Sequence, residues 1–72
     1  MDILKGMGNR IKELRKEKRL RQAEVAKLLE VTPQHYQKIE YGKINISSLT
    51  LCTLADYFEV STDYLLGRSE ER

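Results

Sequence analysis

Cysteine, proline and histidine each occur once in the 72 residues, and each scarcity removes a class of protein. The lone Cys52 allows no intramolecular disulfide. With His35 the sole histidine, there is no cysteine/histidine cluster to hold zinc, and no metal is expected. No apolar run approaches the roughly 18 residues of a membrane span. The first residues, Met1 to Gly8, carry an acid, a lysine and two glycines where a signal peptide would have its apolar core, so the expected compartment is the cytoplasm. Strand signals are missing too: no stretch alternates apolar and polar residues, and neither Asn-Gly nor Asp-Gly occurs to turn a hairpin. Catalytic constellations are also absent. There is no paired-carboxylate pocket, no nucleophile beside a base and no phosphate-cradling glycine loop, so an enzyme is the weakest reading and no cofactor is expected.

What remains is 40% hydrophobic and 33% charged, enough apolar material for one modest core. A single domain over residues 1–72 is expected, with its core between 8 and 67 and a polar, frayed tail over 68–72. A core of this size rarely supplies more than about 3–5 kcal/mol unaided, which makes dimerisation an expectation in its own right. The formal charge of +2 conceals an asymmetry. Residues 1–43 hold eleven Lys/Arg against six Asp/Glu, net +5, whereas residues 44–72 hold two against five, net −3. Seven of the basic residues fall between Arg10 and Arg21. Two readings of this stay open, a polyanion partner and a merely solvated helix surface.

Apolar spacing predicts an all-α chain of five helices. The first runs from about Met7 or Gly8 to Lys18 on Ile11 and Leu14, with Leu20 closing its end. The second, Gln22 to Leu29, carries Val25, Ala26, Leu28 and Leu29. Thr32 and Pro33 form a strong start signal for the third, Thr32 as cap and Pro33 at the first helical position. It passes through Tyr36 and Ile39 and stops at Gly42. Ser47 or Ser48 caps a fourth helix built on Leu51, Leu54, Ala55 and Phe58, where Cys52 reads as a small core residue. Ser61 caps a last turn, Thr62 to Leu66, ended by Gly67.

Residues Gln22 to Ile39 thus form two short helices joined by a tight turn, with Val25, Ala26, Leu29, Val31, Tyr36 and Ile39 facing inward. From about Gly8 to Gly67 the chain resembles the Cro and phage-repressor type of helix-turn-helix domain, the xenobiotic-response-element family of bacterial regulators. The resemblance rests on Arg10-Ile11-Lys12-Glu13-Leu14-Arg15, on Gln22 with Val25-Ala26 and on Ile39-Glu40-Tyr41-Gly42-Lys43. It also rests on Leu54-Ala55-Asp56-Tyr57-Phe58-Glu59-Val60-Ser61 and on Asp63-Tyr64-Leu65-Leu66-Gly67. Together these are highly specific; any one alone would be weak.

The resemblance implies a five-helix, lambda-repressor-like fold whose third helix, Pro33 to Tyr41, enters the major groove of double-stranded DNA, with a homodimer reading two half-sites. Gln34, Gln37 and Lys38 look like the base-reading positions, an amide suiting adenine and a lysine suiting guanine. Pro33 stands where many relatives read a base with a polar side chain, and it offers at most an apolar touch on a thymine methyl. Gln22, Thr32, His35, Tyr41, Lys43 and Asn45 look like contacts to the sugar-phosphate backbone, which position without specifying. Arg10 is read as a surface residue. Arg15 and Glu40 correspond to a family ion pair with a structural role.

The chain departs from the family pattern in three places around the reading helix. Arg21 replaces the usual Ser or Thr cap of the second helix. Glu30 replaces a turn glycine that often has positive φ. Pro33 removes a polar reader. The functional expectation is a transcriptional regulator, a repressor on a roughly palindromic operator, of the kind carried by phages and mobile elements. The alternative is an antitoxin or anti-repressor that meets a protein partner through its last two helices. A chain this short leaves no room for a separate ligand-sensing or cleavage domain.

Overall fold

Asp2 begins the first helix more than a turn earlier than apolar spacing alone suggests. In the computed structural model, which describes residues 2–72 and leaves Met1 outside them, α1 spans Ile3–Glu17 and the Asp2 carboxylate accepts from the Lys5 N–H at 3.1 Å. The expected start at Met7 or Gly8 is therefore corrected. Gly8 lies within this helix as a packing residue. A Cβ there would collide with the carbonyl oxygens of Ile39 and Glu40, so Gly8 lets the end of the third helix lie directly on α1. The extra turn brings Leu4 and Met7 to the core.

Four further helices follow: α2 Gln22–Leu28, α3 Pro33–Glu40, α4 Ser48–Phe58 and α5 Thr62–Leu66. There is no strand among the described residues. Ser47, Thr32 and Ser61 each cap the next helix by accepting from the backbone N–H three residues on, which fixes the starts of α3 and α5 as the sequence indicated and chooses Ser47 over Ser48 for α4. The cap of α2 differs. Arg21 has no side-chain acceptor to offer, and instead the Glu24 carboxylate accepts from its backbone N–H at 3.1 Å, leaving half of a capping box.

Every helix is closed by a left-handed residue at or just beyond its last turn, and three of these are not glycine: Arg19, Glu30 and Glu59, with φ of 57°, 58° and 56°. Gly42, at φ 71°, closes α3 against the backbone of Lys5, where a side chain would collide. The apolar faces meet in one core of Met7, Ile11, Leu14, Val25, Ala26, Tyr36, Ile39, Leu54, Ala55, Phe58 and Leu65. Leu20, Leu29 and Val31 pack against it half-buried. Burial of each large side chain stabilises the fold by about 1.5–3 kcal/mol.

One expectation fails in the second half. Cys52 is exposed on α4, because the buried stripe of that helix runs through Leu54, Ala55 and Phe58 and leaves position 52 on the far side. Arg72 forms two hydrogen bonds to the Glu17 carboxylate, at 2.9 and 2.6 Å, lies over the Tyr64 ring, and its carbonyl accepts from the Ser61 N–H. These contacts place the end of the polar tail beside α1 and α5.

Candidate nucleic-acid interface

The two faces of α3 are built from different chemistry. Its inward face carries Tyr36, Ile39 and Glu40, all buried. Glu40 is 2% exposed, and a carboxylate at that depth requires partners. It has three side chains around it. Arg15 of α1 donates from Nε to Oε2 at 2.6 Å and from Nη2 to Oε1 at 3.2 Å. Tyr36 donates its hydroxyl proton to Oε2 at 2.5 Å, and Gln22 of α2 donates from Nε2 to Oε1 at 3.0 Å. A further Arg15 donor, Nη1, reaches the Leu20 carbonyl at 2.8 Å. One carboxylate therefore ties α1, α2 and α3 together, and no buried side-chain nitrogen or oxygen among the described residues lacks a partner.

Burial pushes the Glu40 carboxyl up, but the hydrogen bonds from Arg15, Tyr36 and Gln22 outweigh it, so the group sits below the ordinary glutamate range. The same cluster raises the Arg15 guanidinium through its bond to Glu40 and raises the Tyr36 phenol through burial and the adjacent carboxylate. All three groups thus hold their pairing forms, charged, charged and neutral, across the neutral pH range.

The outward face is polar. Pro33, Gln34, His35 and Lys38 are exposed, Gln37 is half-buried and Tyr41 is 50% exposed. Gln34 lies three and four positions before Gln37 and Lys38, and these lie four and three positions before Tyr41, so the four share one side of α3. Thr32 is occupied as the cap, its Oγ1 accepting from the His35 N–H at 3.1 Å. Gln37 donates from Nε2 to the Tyr41 hydroxyl at 3.2 Å. Lys43 and Asn45 are exposed in the loop after α3, where the Asn45 side chain accepts from the Ile46 N–H at 2.9 Å. Gln22 stands apart from these. Its amide is turned inward to Glu40, although it opens α2 as expected.

Sequence reasoning paired Arg15 with Glu40 but missed the other donors. Tyr36 was findable, since positions 36 and 40 are one helical turn apart. Gln22 carried no such local signal, because its meeting with Glu40 depends on how α2 crosses α3. The basic stretch between Arg10 and Arg21 is also less uniform than its count implies. Arg15 is consumed by Glu40, Arg10 leans on the end of α5 with its Nη1 3.5 Å from the Leu65 carbonyl, and Lys18 lies over the Tyr57 ring.

Among the described residues no group of three or more His, Cys, Asp or Glu is placed to hold a metal ion, and no helix is long and apolar enough to cross a membrane. A cleft of about 160 Å³ between the start of α1 and the end of α5 is lined by Asp2, Ile3, Gly6, Arg10, Leu66 and Gly67, none of them on α3.

Comparison with known proteins agrees with this geometry. A helix-turn-helix family model, of the Cro/C1 type, matches residues 11–65. The SPbeta prophage-derived uncharacterized HTH-type transcriptional regulator YonR of Bacillus subtilis is 41% identical over 59 residues, 82% of this chain. The chain spans only about half of that relative, 55% of its length. Among solved structures, the restriction-modification controller protein C.AhdI from Aeromonas hydrophila superposes with a TM-score of 0.75 at 29% identity, covering 86% of this chain and 94% of its own. The clp gene regulator ClgR from C. glutamicum has the same fold, with a TM-score of 0.77 at 22% identity over 89% of this chain and 83% of its own.

Proposed function

This chain belongs to the helix-turn-helix family of the Cro/C1 type, and on that premise we propose that it is a sequence-specific DNA-binding transcriptional regulator, a repressor that occludes a promoter. The observation that carries the reading is the division of α3. Its inner face is locked by the Glu40 cluster, while Gln34 and Lys38 on the outer face are exposed and make no ion pair with any described residue. Amide and ammonium groups displayed on a rigid helix are the donors and acceptors that base edges in the major groove require. Gln34, Gln37 and Lys38 read bases, with Pro33 offering an apolar contact. Thr32, His35, Tyr41, Lys43, Asn45 and the start of α2 at Gln22 follow the phosphates, and the net +5 of residues 1–43 supplies the sequence-independent attraction.

A single reading helix of eight residues covers only a few base pairs, so useful specificity calls for two copies on a two-fold operator with half-sites about one helical turn apart. Leu49, 80% exposed on α4, and the partly exposed Tyr57 are the apolar side chains that support a second copy as the partner of this half. The same face supports the rival reading, an antitoxin or anti-repressor that binds a different protein, and the two roles are compatible. Selection of duplexes from a randomised DNA library at near-physiological salt tests the proposal. Enrichment of a two-fold symmetric site is the expected result, with Gln34→Ala relaxing one position per half-site and Lys43→Ala weakening all sequences alike while lowering the salt slope by about 1. Retention with no enriched sequence overturns it.

A further inference from the structure

We propose that Tyr41 is a positioning residue for base reading, and that its hydroxyl fixes which way round the Gln37 amide faces the groove. This rests on the DNA-binding reading above and carries it to a specific pair of side chains. A glutamine at a reading position is ambiguous by itself. With one amide orientation it presents an acceptor beside a donor, which suits the N6 and N7 of adenine; with its NH₂ group forward it offers donors that suit guanine. Something must choose between them if the position is to be specific.

The structure holds a candidate selector one turn along the helix. Gln37 donates from Nε2 to the Tyr41 hydroxyl at 3.2 Å, and the pair sits at the surface, with Tyr41 50% exposed as the residue that ends α3. A phenolic oxygen can accept one hydrogen bond while its own proton goes elsewhere. If that proton is given to a phosphate oxygen, the hydroxyl is left as an acceptor toward Gln37, and only the NH₂ side of the amide can satisfy it. The amide carbonyl and its remaining N–H then point away from Tyr41 as an adenine-type pair. Contact with the DNA backbone at Tyr41 thus dictates the chemistry shown to a base at Gln37. No core atom takes part: the hydroxyl of Tyr36 is engaged with Glu40 on the opposite face, so Tyr41 is free of the fold's own buried network.

The test compares the wild-type chain, Tyr41→Phe and Gln37→Ala by selection from the same randomised duplex library, with thermal melts of all three. The wild type is expected to enrich adenine at one position per half-site, and Gln37→Ala to lose that preference. Tyr41→Phe is expected to keep the melting temperature and the preferences at the rest of the site, to lose some affinity for all sequences with its phosphate contact, and, beyond that, to show an adenine-over-guanine preference at that one position about tenfold lower, the scale of one bidentate contact. If Tyr41→Phe keeps the full adenine-over-guanine preference, however much its overall affinity falls, the inference is wrong and the DNA-binding reading stands. If Gln37→Ala changes no position, Gln37 is not a reader and the inference is again overturned. If the wild type enriches no sequence at all, the DNA-binding reading fails first and takes this inference with it.

Discussion

The two faces of α3 contain similar side chains put to opposite uses. On the inner face a tyrosine and a glutamate are buried with every donor and acceptor spoken for; on the outer face two glutamines, a lysine and a second tyrosine meet mainly water. Tyr36 and Tyr41 make the contrast most directly. The first gives its proton to Glu40 and is fully buried, whereas the second accepts from Gln37 and is 50% exposed. Buried polar groups in so small a domain are tolerable only as a complete network. An incomplete set of partners at the surface costs nothing in stability and leaves the groups available to a ligand. The packing of the helix and the polar groups on its outer face are therefore built from separate residues.

Breaking the inner face should have the largest effect. Glu40→Ala strands the Arg15 guanidinium against the core and is expected to cost about 3–5 kcal/mol, comparable to the whole stability of a domain this size. A thermal melt followed by circular dichroism should show loss of the cooperative transition at room temperature. If the melt is nearly unchanged, the cluster is not what fixes the three helices.

Acid attacks the same contact more gradually. The folded Glu40 carboxyl lies below its ordinary value of 4.5, so the unfolded chain takes up the proton first as pH falls. The stability it contributes is full above the unfolded value and is lost as pH drops through the folded one. Denaturation midpoints measured between neutral pH and pH 3 should fall steeply for the wild type. Glu40→Gln, already without the charge, should give a lower but flatter profile. Glu17 and Glu24 are also lowered, by their bonds to Arg72 and Arg21, but both are exposed and screened, so the slope should follow Glu40.

On the outer face the ranking inverts. Gln34→Ala and Lys38→Ala should leave the melting transition within about 0.5 kcal/mol of wild type, while lowering affinity for the selected operator by about 1–3 kcal/mol each. Fluorescence anisotropy alongside the melt separates the two quantities. A variant that loses both equally would show that the faces are not independent.

The smallest effect belongs to the turn that joins the two helices. Glu30 holds φ at 58°, a conformation that strains a side chain and suits glycine. Glu30→Gly is expected to stabilise the domain by about 0.5–1 kcal/mol net of glycine's greater unfolded freedom, with operator affinity unchanged, because the backbone already has the glycine conformation. A change in affinity would mean that Glu30 sets the tilt of α3.

Much of this was readable in advance where the cause is local. Thr32-Pro33, Ser47 and Ser61 announce three helix starts because capping depends on residues within one turn, and the spacing of Tyr36, Ile39, Leu54 and Phe58 marks their buried faces for the same reason. Local rules also misled. The spacing of Ile11 and Leu14 placed the start of α1 at Met7 or Gly8, while the residues that extend it to Ile3 are the Asp2 cap and a Gly8 whose lack of a side chain matters because of the carbonyls of Ile39 and Glu40, far along the chain. Cys52 looked like core because its helix is the most apolar, but which positions of α4 face inward depends on where α1 and α5 stand.

The sequence by itself determined the helix count, the caps of the third and fifth helices and the basic and acidic halves of this protein, since propensity, capping and charge act over a few residues or by simple addition. Together with the family motifs it also singled out Gln34, Gln37 and Lys38 on one helix. Only the tertiary structure decided how that helix is held. The inward turn of Gln22 and the clasp of Arg72 on Glu17 join residues 18 and 55 positions apart. Such pairings follow from how whole helices pack, a property of the complete core that no local stretch of sequence contains.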